Sequence, residues 1–166
     1  SYHKKVVFIL IIVPSRIGIN EYDELKNNLD KLVSDINGEF QTLDWQPVIY
    51  QYRHIPFENL CALYSTADIA MITPLRDGMN LVAKEYIASK RENGVLILSE
   101  MAGAAKELGD AIIVNPNDID EMSDAIKKAL EMLENNIVEV NLNLKVMRER
   151  IKNYDIFRWV KDFIDT

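Results

Sequence analysis

The chain is poor in the residues that usually announce a site. It has one cysteine, two histidines and six glycines among 166 residues. A single thiol, Cys61, makes no intrachain disulfide and reads as a small apolar side chain in a helix. Nothing in the sequence suggests a metal site, and no cofactor is expected. No GxGxxG occurs, which removes the nicotinamide-type dinucleotide fingerprint. No apolar run reaches the ~20 residues needed to cross a bilayer. Lys4 and Lys5 precede an apolar run, faintly as in a secretory leader. That run ends in Pro14-Ser15-Arg16 without a small-residue cleavage site, so a cytoplasmic protein is expected. Positive charge is also in deficit: 19 Lys and Arg face 26 Asp and Glu, a net charge of −7. That disfavours nucleic acid and anionic membranes as general partners. Internal repeats, low-complexity tracts and linkers are absent.

What is present is a soluble composition, 48% hydrophobic and 27% charged, in a length that suits one domain with its own core. Residues 6–13, VVFILIIV, read as a central strand covered on both faces. Residues 20–36 have helical spacing in Leu25, Leu29, Leu32, Val33 and Ile36. Asn20 is the cap candidate and Asn37-Gly38 the stop. Residues 39–46 read as irregular, with Trp45 packing locally. VIYQY at 48–52 is a second strand, whose alternation suggests less burial than the first. A short helix follows at 56–65, with Phe57, Leu60, Cys61 and Tyr64 on one face. Further buried strands are expected at 69–72 and 94–99, a last strand at 111–115, and helices at 100–108, 120–133 and 141–154, the last continuing or restarting to 164. Strands alternating with helices imply right-handed crossovers and a parallel sheet. The fold class is α/β, a Rossmann-like doubly wound domain.

The stretch that carries most chemistry is residues 67–89, ADIAMITPLRDGMNLVAKEYIAS. It reads as strand, tight glycine turn and helix, with Pro74 ending the strand and Asn80 capping the helix. Ligands of open α/β sheets sit outside the carboxyl ends of the strands. The unpaired first N–H groups of the helix and its positive end suit a phosphate or diphosphate there. Glu85 lies one turn further on, where a carboxylate can accept two bonds from a vicinal diol such as ribose. Asp77, on the turn, can accept from a sugar hydroxyl or serve only as a turn residue.

TPLRDGMNLVAKEY resembles the donor-site signature of trehalose-6-phosphate synthases, retaining glycosyltransferases with two Rossmann-like lobes. The similarity extends over nearly the whole chain, through VPSR, NGEF, RHIPFENL, VLILSEMAGAAKELGDAIIVNPNDIDEMSDAIKKAL and the closing aromatic helix with Trp159. The family's catalytic domain is about three times this long, on the usual scale of two domains. The resemblance therefore implies one nucleotide-sugar-binding domain, residues 1–166. It would be the C-terminal lobe of a GT-B type enzyme whose acceptor lobe and diphosphate-clamping Arg and Lys lie upstream.

The implied reaction is transfer of glucose from UDP-glucose to glucose-6-phosphate, with retention, giving trehalose-6-phosphate and UDP. No pair of carboxylates poised as acid and nucleophile is apparent. The family is thought to let the leaving diphosphate deprotonate the acceptor. By resemblance Asp77 is the catalytic residue, holding hydroxyls of the transferred glucose. The donor set is Gly78, Met79, Asn80, Leu81, Val82, Ala83, Lys84 and Glu85, with Leu60, His54 and Ile55 from outside the helix. The amides of Met79, Asn80 and Leu81 would receive the diphosphate, and Glu85 the ribose. Val82 and Leu60 would pack on the uracil, which is compatible with their being plain core. Ile55 main chain would bond the uracil edge. Lone histidines such as His54 are more often surface or turn residues. Arg76 and Lys84 would raise the local potential, although Lys84 could equally be solvated. Arg16 would reach the acceptor phosphate, the alternative being a solvated loop arginine. After Pro-Ser-Arg the family commonly has Gly-Asp, where this chain has Ile17-Gly18.

The isolated chain is expected to be inactive. A homo-oligomer of the whole enzyme stays open, as do two alternatives. One is a non-catalytic nucleotide-sugar-sensing regulatory subunit. The other is a transferase for another phosphorylated acceptor such as glycerol-3-phosphate.

Overall fold

The computed structural model describes residues 2–14, 20–154, 157, 158, 160 and 164, with the side chains of residues 20 and 21 outside that set. Arg16, the Ile17-Gly18 turn, the cap at Asn20 and Trp159 therefore lie outside the described residues, as does most of the expected extension to 164. The chain divides into two compact units, Ser1–Pro56 and Phe57–Thr166. The α/β class and the parallel pairing expected from the alternation both hold, with the strands hydrogen-bonded in two ladders.

The first unit is a single βαβ. Strand β1, Phe8–Ile12, pairs in parallel with β2, Val48–Tyr52, in the register Phe8 to Val48 and Ile12 to Tyr52. Between them α1 runs Asn20–Phe40, straight through the expected stop at Asn37-Gly38. The reason is tertiary. The Asn37 side chain is buried and exchanges two hydrogen bonds of 3.0 Å with the main chain of Val48. Its amide thus serves β2 instead of ending the helix, and the space around Gly38 is open. The segment expected to be irregular is consequently helical at its start. Trp45 does not pack locally either: its Nε1–H donates to the Val6 carbonyl at 3.1 Å and its ring meets His3 edge-on.

The burial order of these two strands is the reverse of the expectation. Phe8 and Ile9 are 44% and 42% exposed and no residue of β1 is buried, whereas Val48 of β2 is. Within this unit β1 has one ladder neighbour, and α1 packs on β2.

The second unit holds a parallel ladder β3-β4-β5: Ile69–Ile72, Val95–Ser99 and Ile112–Val114. All five residues of β4 are buried. Leu96 and Leu98 point into a cluster with Ala83, Tyr86 and Ile87 of α3 (Leu81–Ser89) and with Leu144 and Met147 of α5 (Ile137–Asn153). Val95 and Ile97 point the other way, into Ala125 and Ala129 of α4 (Ile119–Asn135). Alternate residues of one apolar run thus serve two helical layers, which is what a strand covered on both faces requires. At the ladder's edge β3 is half-buried rather than buried.

Helix α2, Phe57–Thr66, contributes no fully buried residue. Only Gly103–Lys106 of the expected 100–108 helix forms, as a single 3-10 turn. Asp118 caps α4 by accepting from the Glu121 N–H at 3.0 Å. Helix α5 starts one turn before Asn141, whose side chain instead exchanges bonds of 2.7 and 3.2 Å with Asn93. Among the described residues no helix is long and apolar enough to cross a membrane.

Candidate active site

The site grows from the loop between β3 and α3. The chain leaves the carboxyl end of β3 at Ile72 and passes Pro74 and the exposed Leu75 and Arg76. It then folds over the Asp77 side chain. Asp77 Oδ1 accepts the amide N–H of Met79 at 3.0 Å and of Asn80 at 2.9 Å, and Oδ2 accepts Asn80 Nδ2 at 3.0 Å. These donors, Met79 first, hold the Asp77 carboxyl below its usual range. Asn80 is in the left-handed region, φ 65°, and is buried. Its short polar side chain makes that conformation acceptable. Asn80 Oδ1 accepts the Ala83 N–H at 2.9 Å and so caps α3, as expected.

Two of the three amides that the resemblance gave to a diphosphate, those of Met79 and Asn80, are therefore turned onto Asp77. The N–H groups of Leu81 and Val82 make no hydrogen bond within the described residues, and both side chains are exposed. They are the open donors at the positive end of α3. Asp77 is shown in the turn reading. Oδ2 accepts only one bond, which leaves acceptor capacity for a hydroxyl.

A second loop, after β4, is bound to this turn. The Asp77 N–H donates to the Met101 carbonyl at 3.3 Å, and the Gly103 N–H to the Asp77 carbonyl at 2.8 Å. Gly103 is required by that approach: a Cβ there would lie 2.0 Å from the Gly78 carbonyl oxygen. The Ser99 hydroxyl shapes the same loop by accepting from the Met101 N–H at 3.0 Å. Ser99, Met101 and Gly103 were not singled out from the sequence. The available signal was the small-residue run MAGAA directly after a buried strand.

Further along α3, Lys84 forms an ion pair with Glu107 at 2.7 Å, so its charge is committed beside the site and is not simply solvated. Glu85 is half-buried, and its Oε2 accepts from the Tyr64 hydroxyl on α2 at 3.4 Å. Leu60 lies one turn before Tyr64 and is half-buried. The other end of α3 is fixed from α5. Arg148 donates to the carbonyls of Ile87 at 3.5 Å, Arg91 at 2.8 Å, and Lys90. Lys90 in turn reaches the Ser65 carbonyl at the end of α2, at 3.1 Å. A cation at the final carbonyls complements the helix dipole.

The structure thus gathers the run from Asp77 to Glu85 on one turn and helix, with Tyr64 of α2, one turn on from Leu60, against Glu85. His54, exposed, and Ile55, half-buried, follow β2 in the first unit. Among the described residues no three His, Cys, Asp or Glu side chains group as metal ligands. The arrangement offers open amides at a helix N-terminus, which can bond an anion, and a half-buried carboxylate one turn on, which can accept from a diol.

Residues 1–166 match the model of glycosyltransferase family 20. The bifunctional trehalose-6-phosphate synthase/phosphatase of Thermoproteus tenax is 52% identical over 165 residues, 99% of this chain and 22% of that protein. A solved structure described as trehalose-6-phosphate from E. coli bound with UDP-2-fluoro glucose superposes with a TM-score of 0.92 at 38% identity, over 99% of this chain and 36% of that one. An alpha,alpha-trehalose-phosphate synthase (UDP-forming) from Burkholderia xenovorans in complex with glucose-6-phosphate gives 0.91 at 38% identity, over 98% and 36%. The chain spans about a third or less of the length of these proteins.

Proposed function

The chain belongs to glycosyltransferase family 20, and we propose that it is the donor-binding lobe of a retaining, UDP-glucose-dependent glycosyltransferase of GT-B architecture. The observation that carries this reading is the pair of open amides at Leu81 and Val82 with Glu85 one helical turn behind them. Diphosphate at those amides gains charge-assisted bonds and the dipole of α3. The ribose diol then falls to Glu85, and Leu60 and Val82 offer apolar surface to the uracil. Asp77 orients the turn and turns the spare capacity of Oδ2 toward a glucose hydroxyl.

The acceptor is proposed to be glucose-6-phosphate. Its hydroxyl attacks the anomeric carbon on the face that the diphosphate leaves. The glucose–phosphate bond breaks, the new glycosidic bond forms, and the departing diphosphate oxygen takes the hydroxyl proton. The products are trehalose-6-phosphate and UDP. The protein's contribution is positioning and electrostatic stabilisation of the leaving group. The parts given to Arg16, at the acceptor phosphate, and to His54 and Ile55, at the uracil edge, rest on the resemblance alone. The lobe by itself is proposed to bind donor in the cytoplasm without turning it over, most of the acceptor site lying in the other lobe of the protein.

Titration calorimetry with UDP tests the reading. Glu85→Gln keeps the side chain's size and removes its charge. The expected loss is about 1.5–3 kcal/mol, a 10-fold to 150-fold weaker Kd. Equal UDP binding by the variant and the parent would remove Glu85, and with it this site, from donor binding.

A further inference from the structure

We propose that Tyr64 is a positioning residue of the donor site, aiming the Glu85 carboxylate at the ribose diol and so setting the preference for ribo- over deoxyribonucleotides. The inference rests on the donor-site reading above and adds a residue on a different helix. Tyr64 is fixed by its surroundings. Its ring stands edge-on to Tyr86, 6.4 Å between centroids at 86°. Tyr86 is fully buried and donates to the carbonyls of Ala67 and Asp68 at 3.3 and 3.2 Å. The Tyr64 ring thereby packs on a neighbour that is bonded to the residues just before β3.

Its contact with Glu85 Oε2 is 3.4 Å, long for a hydroxyl on a carboxylate. With Tyr64 held, Glu85 is the side chain that would turn to bring the contact to charge-assisted length. Among the described residues no other hydrogen bond reaches the Glu85 carboxylate, so Tyr64 is the group that orients it. Burial first, and then the Glu85 charge, push the Tyr64 hydroxyl up to about 12. The group therefore stays protonated and can only donate to the carboxylate. One carboxylate can bind both hydroxyls of a diol only if its plane is set. With Oε2 steered by Tyr64, Oε1 and the free capacity of Oε2 are left for the sugar.

Titrating UDP and 2′-deoxy-UDP into the parent protein and Tyr64→Phe tests this. The two ligands share base and diphosphate, so the ratio of their Kd values isolates the diol. Phenylalanine keeps the ring against Tyr86, so a purely structural role predicts an unchanged ratio. We expect the parent to prefer UDP. Tyr64→Phe should weaken UDP by about three- to tenfold, leave 2′-deoxy-UDP nearly unchanged, and shrink the ratio accordingly. An unchanged ratio in Tyr64→Phe, while Glu85→Gln still weakens UDP, overturns the role of Tyr64 and leaves the donor site standing. No preference in the parent, together with no effect of Glu85→Gln, overturns both.

Discussion

Strands β1 and β4 are written in nearly the same alphabet, FILII and VLILS, yet one is half-exposed and the other is buried at every residue. The difference lies in what surrounds them. Strand β4 has a ladder neighbour on each side and helices on both faces. Within its unit β1 has β2 alone beside it. An apolar run records how much cover a strand is built to receive, and says nothing of which element supplies it.

Chemical denaturation followed by circular dichroism can break or sharpen this contrast. The largest effect is expected for Leu98→Ala in β4, where a fully buried side chain leaves a cavity between β4, α3 and α5. The expected loss is about 2–5 kcal/mol. Next is Asn37→Ala, which leaves the buried Val48 N–H and carbonyl without their partner and should cost about 1–3 kcal/mol. Smallest is Phe8→Ala in β1, where the ring is already 44% exposed, at about 1 kcal/mol or less. A loss for Phe8→Ala equal to that for Leu98→Ala would mean that β1 is covered after all and that the contrast between the strands is false.

Where local chemistry and tertiary packing agree, the chain was readable residue by residue. Strands β2 and β3 run over the residues read as strands, and Asn80 caps α3 from the position its side chain suggests. The failures occur where a polar side chain is spent at a distance. Asn37 has the local look of a helix stop, but its amide is used on Val48, eleven residues on, and α1 continues to Phe40. Asn141 has the look of a helix start, but its amide is used on Asn93, and α5 is already one turn old there. The site shows the same division. The turn, the cap and Glu85 were legible as strand, turn and helix. Which amides stay open was not, because it depends on the Asp77 rotamer, and Tyr64 and Gly103 matter only through contacts with distant residues.

The contact between Gly103 and Gly78 bears on motion. Two loops that meet backbone to backbone, and exchange hydrogen bonds at Asp77, have no side chain between them to act as a cushion. Shifting one strains the bonds to the other. A ligand that draws in the turn before α3 must also pull the loop after β4. The Glu100 N–H donates to the Val114 carbonyl at 2.9 Å, which ties the same loop to the end of β5. The turn that caps α3 and the loop after β4 are thus one bonded unit at the carboxyl edge of the three-stranded ladder.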